Sequence, residues 1–350
     1  MAIQSKMFKE SYHEDIKLFQ TIWIRFWMSL FILALIVFPY FASFYVIYII
    51  NLCLVATVAA VGLNILTGFT GQISLGHAAF VAIGAYTNAI LYNHGLPFWI
   101  CLPAAGSVSA LVGLVVGIPC LRLKGFYLAM VTMAFGVVIS FIIVNFSDLT
   151  GGTLGLNLNR PLQLFGYDIT SDSGMYYFLL AITSLLVIVA TNLLRARTGR
   201  AFVAIRDRDI AAEAIGVNII AYKMVSFSVS SFYAGISGAM FGYLIVYIHP
   251  DNFAFLHSIE FIAMVIVGGL ASTLGSIFGA IFVTLFPEII KNVAQLLSSV
   301  FPGMAEAYSL DWNIAAFGLL IILFLIFEPK GLVGIWGRIQ ACFKNWPFTY

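Results

Sequence analysis

Apolar runs long enough to cross a bilayer recur along almost the whole chain, with no polar block of domain size between them. About 20 apolar residues span the hydrocarbon, with a usual range of about 17 to 25. In lipid each backbone polar group must be satisfied within its own segment, so runs of this length are helices. Ten spans are predicted, near residues 26–42, 44–66, 74–93, 97–119, 125–145, 175–194, 223–248, 258–270, 274–290 and 312–328. The eighth is short and fits as a partial or re-entrant helix only if its irregular end packs against protein. With 62% hydrophobic and 9% charged residues, against about 25% charged in soluble domains, one all-α polytopic membrane domain is expected. Its bounds are 26–335, between a cytoplasmic segment 1–25 and a cytoplasmic tail 336–350. The polar first two dozen residues lack the core of a secretory signal, so the first apolar run is expected to stay as a span.

Basic residues orient the domain. With the N-terminus inside, Lys6, Lys9, Lys17, Arg25, Arg122, Lys124, Arg195, Arg197, Arg200, Arg206, Arg208, Lys223, Lys330, Arg338 and Lys344 are cytoplasmic, and Arg160 and Lys291 lie outside. That is 15 of the 17 basic residues on one side, a strong positive-inside bias with both termini in the cytoplasm. Net charge is only +2, and the basic residues sit at segment ends rather than in one patch, which sets nucleic acid aside. Cys53, Cys101, Cys120 and Cys342 are scattered without metal or redox spacing and read as small apolar residues.

Two polar segments interrupt the apolar pattern. Asn145 to Gly174 reads as an outer loop of about 30 residues, long enough to be functional. The inner loop 195–222 contains an amphipathic stretch in which Phe202, Ile205, Ala212 and Ile215 recur at three-and-four spacing, while Arg206, Asp207, Arg208 and Asp209 decorate the rest. Thr198 is placed to cap its start and Gly216 its end. Three G-x-x-x-G pairs, Gly113 with Gly117, Gly238 with Gly242 and Gly275 with Gly279, mark candidate close helix contacts.

Chemistry on the chain is hard to find. A Gly-x-x-x-x-Gly-Lys phosphate loop is absent, so the chain is not its own ATPase of that class. Thr150-Gly-Gly-Thr-Leu-Gly155 lacks the lysine and reads as a turn. Ion-driven carriers bury ionisable groups in their spans, whereas here Glu260 and Glu288 lie near predicted outer boundaries. His257 and Glu260 have i, i+3 spacing, but no second pair completes a metal site, and an interfacial hydrogen bond is the better reading. The third span opens with Thr67-Gly-Phe-Thr-Gly-Gln-Ile-Ser-Leu-Gly-His77. Two readings stay open there: a half-helix N-terminus inside the membrane facing an anionic group, or an ordinary cytoplasmic turn and cap.

This stretch and the inner loop resemble the larger permease subunit of bacterial ABC importers for branched-chain amino acids. The matching segments are Gly62-Leu-Asn-Ile-Leu-Thr-Gly with Gly71-Gln-Ile-Ser-Leu-Gly-His-Ala-Ala-Phe80, Leu121-Arg-Leu-Lys-Gly-Phe-Tyr-Leu-Ala-Met130, Leu149-Thr-Gly-Gly-Thr153, Gly199-Arg-Ala-Phe-Val-Ala-Ile-Arg-Asp207 with Ala211-Ala-Glu-Ala-Ile-Gly216, and Val267-Gly-Gly-Leu270 with Phe327-Glu-Pro-Lys-Gly-Leu332. They run in order across roughly residues 50–335. The resemblance implies a ten-helix fold like that of ABC type II importers, a sister permease, two cytoplasmic ATPase subunits that hold ATP and Mg, a periplasmic binding protein, and residence in the inner membrane. It also implies that the helix from Arg200 to Gly216 is the coupling segment, with Arg200, Arg206, Asp207, Glu213 and Gly216 at the ATPase contact. No cofactor or metal is then expected on this chain, and no catalytic residue. Thr67, Gln72, Ser74 and His77 are the side chains expected on the path or gate. The outer loop departs from the family pattern at Leu156-Asn-Leu-Asn159, which leaves urea and short amides open beside apolar amino acids. An ion-coupled carrier remains the rival class.

Overall fold

The computed structural model describes residues 22–120, 123, 125–158, 162–164, 167–169, 171–298, 310–328 and 330–345. Most of the predicted N-terminal segment with Lys6, Lys9 and Lys17, the basic residues Arg122, Lys124 and Arg160, and the side chains of Arg25, Cys342 and Lys344 lie outside the described residues. The described residues divide into two compact units, one ending at Ile47 and the other beginning at Tyr48.

In the first unit, α1 spans Ile22–Phe41 with Pro39 near its end. The helix α2, Phe44–Asn64, runs on into the second. There follow α3 (His77–Asn93), α4 (Phe98–Cys120), α5 (Phe126–Asn145), α6 (Asp172–Arg195), α7 (Arg197–Asp207), α8 (Asp209–Ala214), α9 (Ile219–Ile245), α10 (Phe255–Gly268), α11 (Thr273–Ser298), α12 (Leu310–Phe327) and α13 (Gly331–Asn345). Helices stand at all ten predicted span positions among the described residues, and seven of them are long and apolar enough to cross a membrane by length and composition alone.

The expected boundaries move in informative places. The third span begins at His77 rather than near residue 74, because the preceding residues are irregular. The ninth continues to Ser298, past Pro287. The eighth has an α-helix of 14 residues, about 21 Å at 1.5 Å per residue, and counts among the seven only together with the turn before it, as Pro250–Gly268. A 3-10 turn, Pro250–Phe253, precedes it. The helix α13 crosses the predicted start of the tail at residue 336.

The segment expected as the outer loop is more ordered than a plain loop. Its strand Leu156–Asn157 pairs antiparallel with Tyr247–Ile248, and Leu162–Leu164 forms a hairpin with Tyr167–Ile169. The glycine-rich Thr150–Gly155 stretch is a turn, with Gly151, Gly152 and Gly155 all at positive φ.

Packing centres on α9, which lies along α3 and α4. Its small residues set the distance: a Cβ on Gly238 would overlap the carbonyl of Val81, one on Gly113 would overlap Ser231 Oγ, and Gly84 faces the backbone of Gly235. The second glycine of two of the pairs is less tightly held: Gly117 comes nearest to the flexible side chain of Met224, at 3.1 Å, and Gly242 nearest to the side chain of Ile248, at 3.1 Å. A second close pair joins α10 and α11, where a Cβ on Gly279 would overlap Met264 O and one on Gly275 would lie 2.7 Å from Gly269 O. Lipid tails offer little apolar drive for helix association, so contact at small residues supplies much of it. Hydroxyls tie the layers together: Ser237 Oγ donates to Val55 O (2.9 Å) and Tyr233 OH to Leu186 O (2.8 Å).

Candidate functional site

Between α2 and α3 the chain leaves helical geometry. The last turn widens into a π-helix, Ile65–Phe69, and Thr70 to Gly76 carry no helix at all. Such π turns recur at functional sites. Gly71 at φ +74° makes the reversal. The freed groups are satisfied locally: Thr67 Oγ1 donates to Gln72 O (3.2 Å), Thr70 Oγ1 to Ile65 O (2.9 Å), and Gln72 Nε2 to Ser226 Oγ on α9 (2.9 Å). Leu75 N donates to Thr132 Oγ1 of α5 at 3.0 Å. His77 is fully enclosed, its Nε2 3.0 Å from Ala59 O and its ring edge-on to Phe261 at 5.6 Å. Ser74 is buried with Oγ lacking a partner among the described residues. Thr67, Gln72, Ser74 and His77 are thus brought together at one break. The first-turn N–H of Ala78, which an anionic group would use, is taken by Ser258 Oγ (3.1 Å).

Asn64, not singled out in the sequence, ties this break to a second one. Its Nδ2 donates to Ser272 O (2.8 Å) and Ser276 Oγ (2.7 Å), and its Oδ1 accepts from Ala271 N (3.0 Å). Ala271 sits at φ +58° beside Gly269 at φ +121°, at the irregular end of α10. An amide inside an apolar run is the signal that could have identified Asn64, since such groups in lipid are kept for a partner.

The segment expected as the inner loop departs from expectation in three ways. The helix predicted from Arg200 to Gly216 is two helices, α7 and α8, separated by Arg208 in extended conformation. Thr198 does not cap α7; its Oγ1 donates back to Leu193 O (3.0 Å), and Ala196 holds the cap position. Ile215, expected in the buried stripe with Phe202, Ile205 and Ala212, is 77% exposed. Gly216 at φ +89° does end α8, with its N–H on Glu213 O and that of Val217 on Ala212 O, a Schellman closure. Arg200, Glu213 and Gly216 are exposed, and Arg200 Nη1 donates to Arg195 O (3.1 Å).

Arg206 links the two regions. Its Nε and Nη2 donate to Asp207 Oδ1 (3.1 and 3.0 Å), and its Nη1 reaches Gly68 O in the π turn at 3.2 Å. A cavity of about 270 Å³ lies between the break and this segment, lined by Thr70, Gln72, Arg206, Asp207, Asp209 and Lys223. A larger apolar cavity lies beyond His77, among α2, α3, α9, α10 and α11. His257 and Glu260 line it and share a hydrogen bond of 2.8 Å, as the sequence spacing suggested. No group of three or more His, Cys, Asp or Glu that could hold a metal occurs among the described residues. Cys53, Cys101 and Cys120 are free and buried.

Over residues 45–325 the chain matches the family described as branched-chain amino acid transport system / permease component. It is 32% identical to the high-affinity branched-chain amino acid transport system permease protein LivM of Escherichia coli (strain K12), across 91% of this chain and 77% of that one. The LivM protein of Salmonella typhimurium is 31% identical, across 87% and 75%. LivH of Escherichia coli (strain K12), a permease protein of the same named system, is 24% identical, across 79% and 90%. No solved structure matches the chain. With its membrane helices and this match over most of its length, the chain belongs to the branched-chain amino acid transport permease family.

Proposed function

We propose that this chain is the larger permease subunit of an ATP-driven importer for branched-chain or other hydrophobic amino acids, in the inner membrane with both termini in the cytoplasm. It pairs with a second permease of the LivH kind, rests on two cytoplasmic ATPase subunits that hold ATP and Mg, and receives substrate from a periplasmic binding protein. The chain carries no cofactor and makes no covalent step. The observation that carries the reading is the hydrogen bond from Arg206 to Gly68 O, which joins the exposed segment of α7 and α8 to the break between the second and third spans.

In this mechanism α7 and α8 dock on an ATPase subunit through Arg200, Asp207, Glu213 and the exposed Ile210 and Ile215, which are 78% and 77% exposed on a polar segment. Ile210 and Ile215 would give that contact an apolar part beside its charges. Closure of the ATPase pair on ATP shifts α7, and Arg206 passes that shift to the π turn. Thr67, Gln72, Ser74 and His77 then move with the break and open the path to one side or the other, a two-state rocking of packed helices.

The test is reconstitution with the partner subunits and binding protein, followed by labelled leucine uptake. Glu213→Lys combined with Ile215→Asp should release the ATPase subunits while the chain stays in the membrane; wild-type ATPase association in that variant overturns the docking assignment. Uptake of urea or acetamide in preference to leucine moves the substrate to the related class. Uptake that survives ATP depletion but collapses with the ion gradient replaces the whole reading with a secondary carrier.

A further inference from the structure

The cavity beyond His77 measures about 290 Å³, at the lower end of the roughly 300–1,000 Å³ range of small-molecule sites. Its walls are apolar and come from several spans, among them Val55 of α2, Val81 of α3, Phe241 of α9, Met264 of α10 and Val283 of α11. Five polar side chains line it: Ser237 of α9, Thr284 of α11 and, on the α10 side, the three groups Asn252, His257 and Glu260.

These three groups are unequally satisfied. An ionised carboxylate only accepts, so the imidazole donates, and His257 Nδ1 occupies Glu260 Oε2 at 2.8 Å. Glu260 Oε1 and the Asn252 carboxamide have no hydrogen-bond partner among the described residues. Both side chains of the pair are partly accessible, His257 at 40% and Glu260 at 36%. A carboxylate at this position in an apolar stretch is costly without a cationic or donor partner, and one imidazole leaves half of its acceptor capacity open.

We infer that this cavity binds an apolar α-amino acid as its zwitterion. The α-ammonium group meets Glu260 Oε1, the α-carboxylate accepts from the Asn252 amide, and the side chain lies against Val81, Phe241 and Met264. An uncharged amide makes no use of Glu260, and an anion is repelled by it. The inference rests on the importer reading above and adds a site within this one chain. Its floor includes Ala78 and Phe261, and Phe261 holds His77 edge-on. Occupancy is therefore felt at the same break that Arg206 reaches from the other side.

The experiment measures binding of labelled leucine to the assembled permease complex in nanodiscs without binding protein. Leucine should bind and be displaced by valine and isoleucine, but not by urea or by 4-methylpentanoate, which keeps the side chain and lacks the ammonium group. Glu260→Gln, nearly the same shape, should weaken binding about tenfold or more, the usual worth of a charge-assisted hydrogen bond. Met264→Trp should abolish binding by filling the cavity, and co-purification of the partner subunits shows that either variant is folded. Displacement by 4-methylpentanoate as strong as by leucine, wild-type affinity in E260Q, or a wild-type cavity that retains acyl chains and takes no leucine overturns the inference. Normal leucine uptake in E260Q proteoliposomes sinks this site and leaves the importer reading standing. Absence of ATP-driven uptake by the wild-type complex sinks that reading instead.

Discussion

The apolar helices are interrupted at residues 65–76 and again at 269–272, and the two interruptions are stabilised differently. In the first, the bonds are spread over Thr67, Thr70, Gln72, Thr132 and Ser226, so each contributes a share. The second depends on close backbone approach at Gly268, Gly275 and Gly279, and on Asn64, which holds Ala271 in a left-handed conformation that alanine rarely adopts. A distributed network can rearrange by exchanging one partner for another, whereas a glycine contact against backbone has no alternative geometry. The first interruption is suited to movement and the second to anchoring. Arg206, the link to the exposed segment of α7 and α8, reaches the first.

Four substitutions break or sharpen this contrast. Gly279→Val should have the largest effect, because its Cβ would overlap Met264 O and backbone cannot yield as a side chain can. The cost should exceed the about 1–3 kcal/mol of ordinary overpacking, read as loss of folded protein from the membrane fraction; normal accumulation would show that α10 and α11 are not anchored there.

Asn64→Ala removes three hydrogen bonds and serves both interruptions at once. It should cost about 2–4 kcal/mol, by the usual values for buried polar groups and interhelical bonds, seen as a clear fall in the thermal unfolding midpoint in detergent. An unchanged midpoint would mean that the second interruption is held by its glycines alone.

Arg206→Lys keeps the charge and loses the fork that spans Asp207 and Gly68. Uptake per ATP hydrolysed should fall severalfold while the unfolding midpoint moves by less than about 1 kcal/mol, as for exposed ion pairs. Equal losses of stability and transport would make Arg206 a structural tie rather than a transmitter. Ser74→Ala should be the mildest. Its Oγ has no partner among the described residues, so stability should stay within about 0.5 kcal/mol, and any change in uptake then reports on the path itself.

The helical spans were legible because a run of about 20 apolar residues has few other fates in a bilayer. Gly216 was legible for a similar reason, as glycine is favoured where a helix must end with positive φ. The break at Thr70 to Gly76 was half legible: its glycines and hydroxyls stood out, but helix beginning at residue 74 and helix beginning at His77 have the same composition. Ile215 was misplaced because helical spacing assumes one continuous helix, whereas Arg208 is extended and Ile215 is the cap residue beyond the last turn of α8; Ala212, within that helix, is buried as expected.

By itself, then, the amino-acid sequence determined the membrane class, the rough position of the apolar helices, and the family-like segments, because these depend on local runs of residues. Tertiary structure decided which polar residues meet. Asn64 and Ser276 lie 212 positions apart, Gln72 and Ser226 154, and Arg206 and Gly68 138. No periodicity carries such pairings, because they arise only when helices brought together by small residues place an unsatisfied donor opposite an acceptor that lipid could not provide.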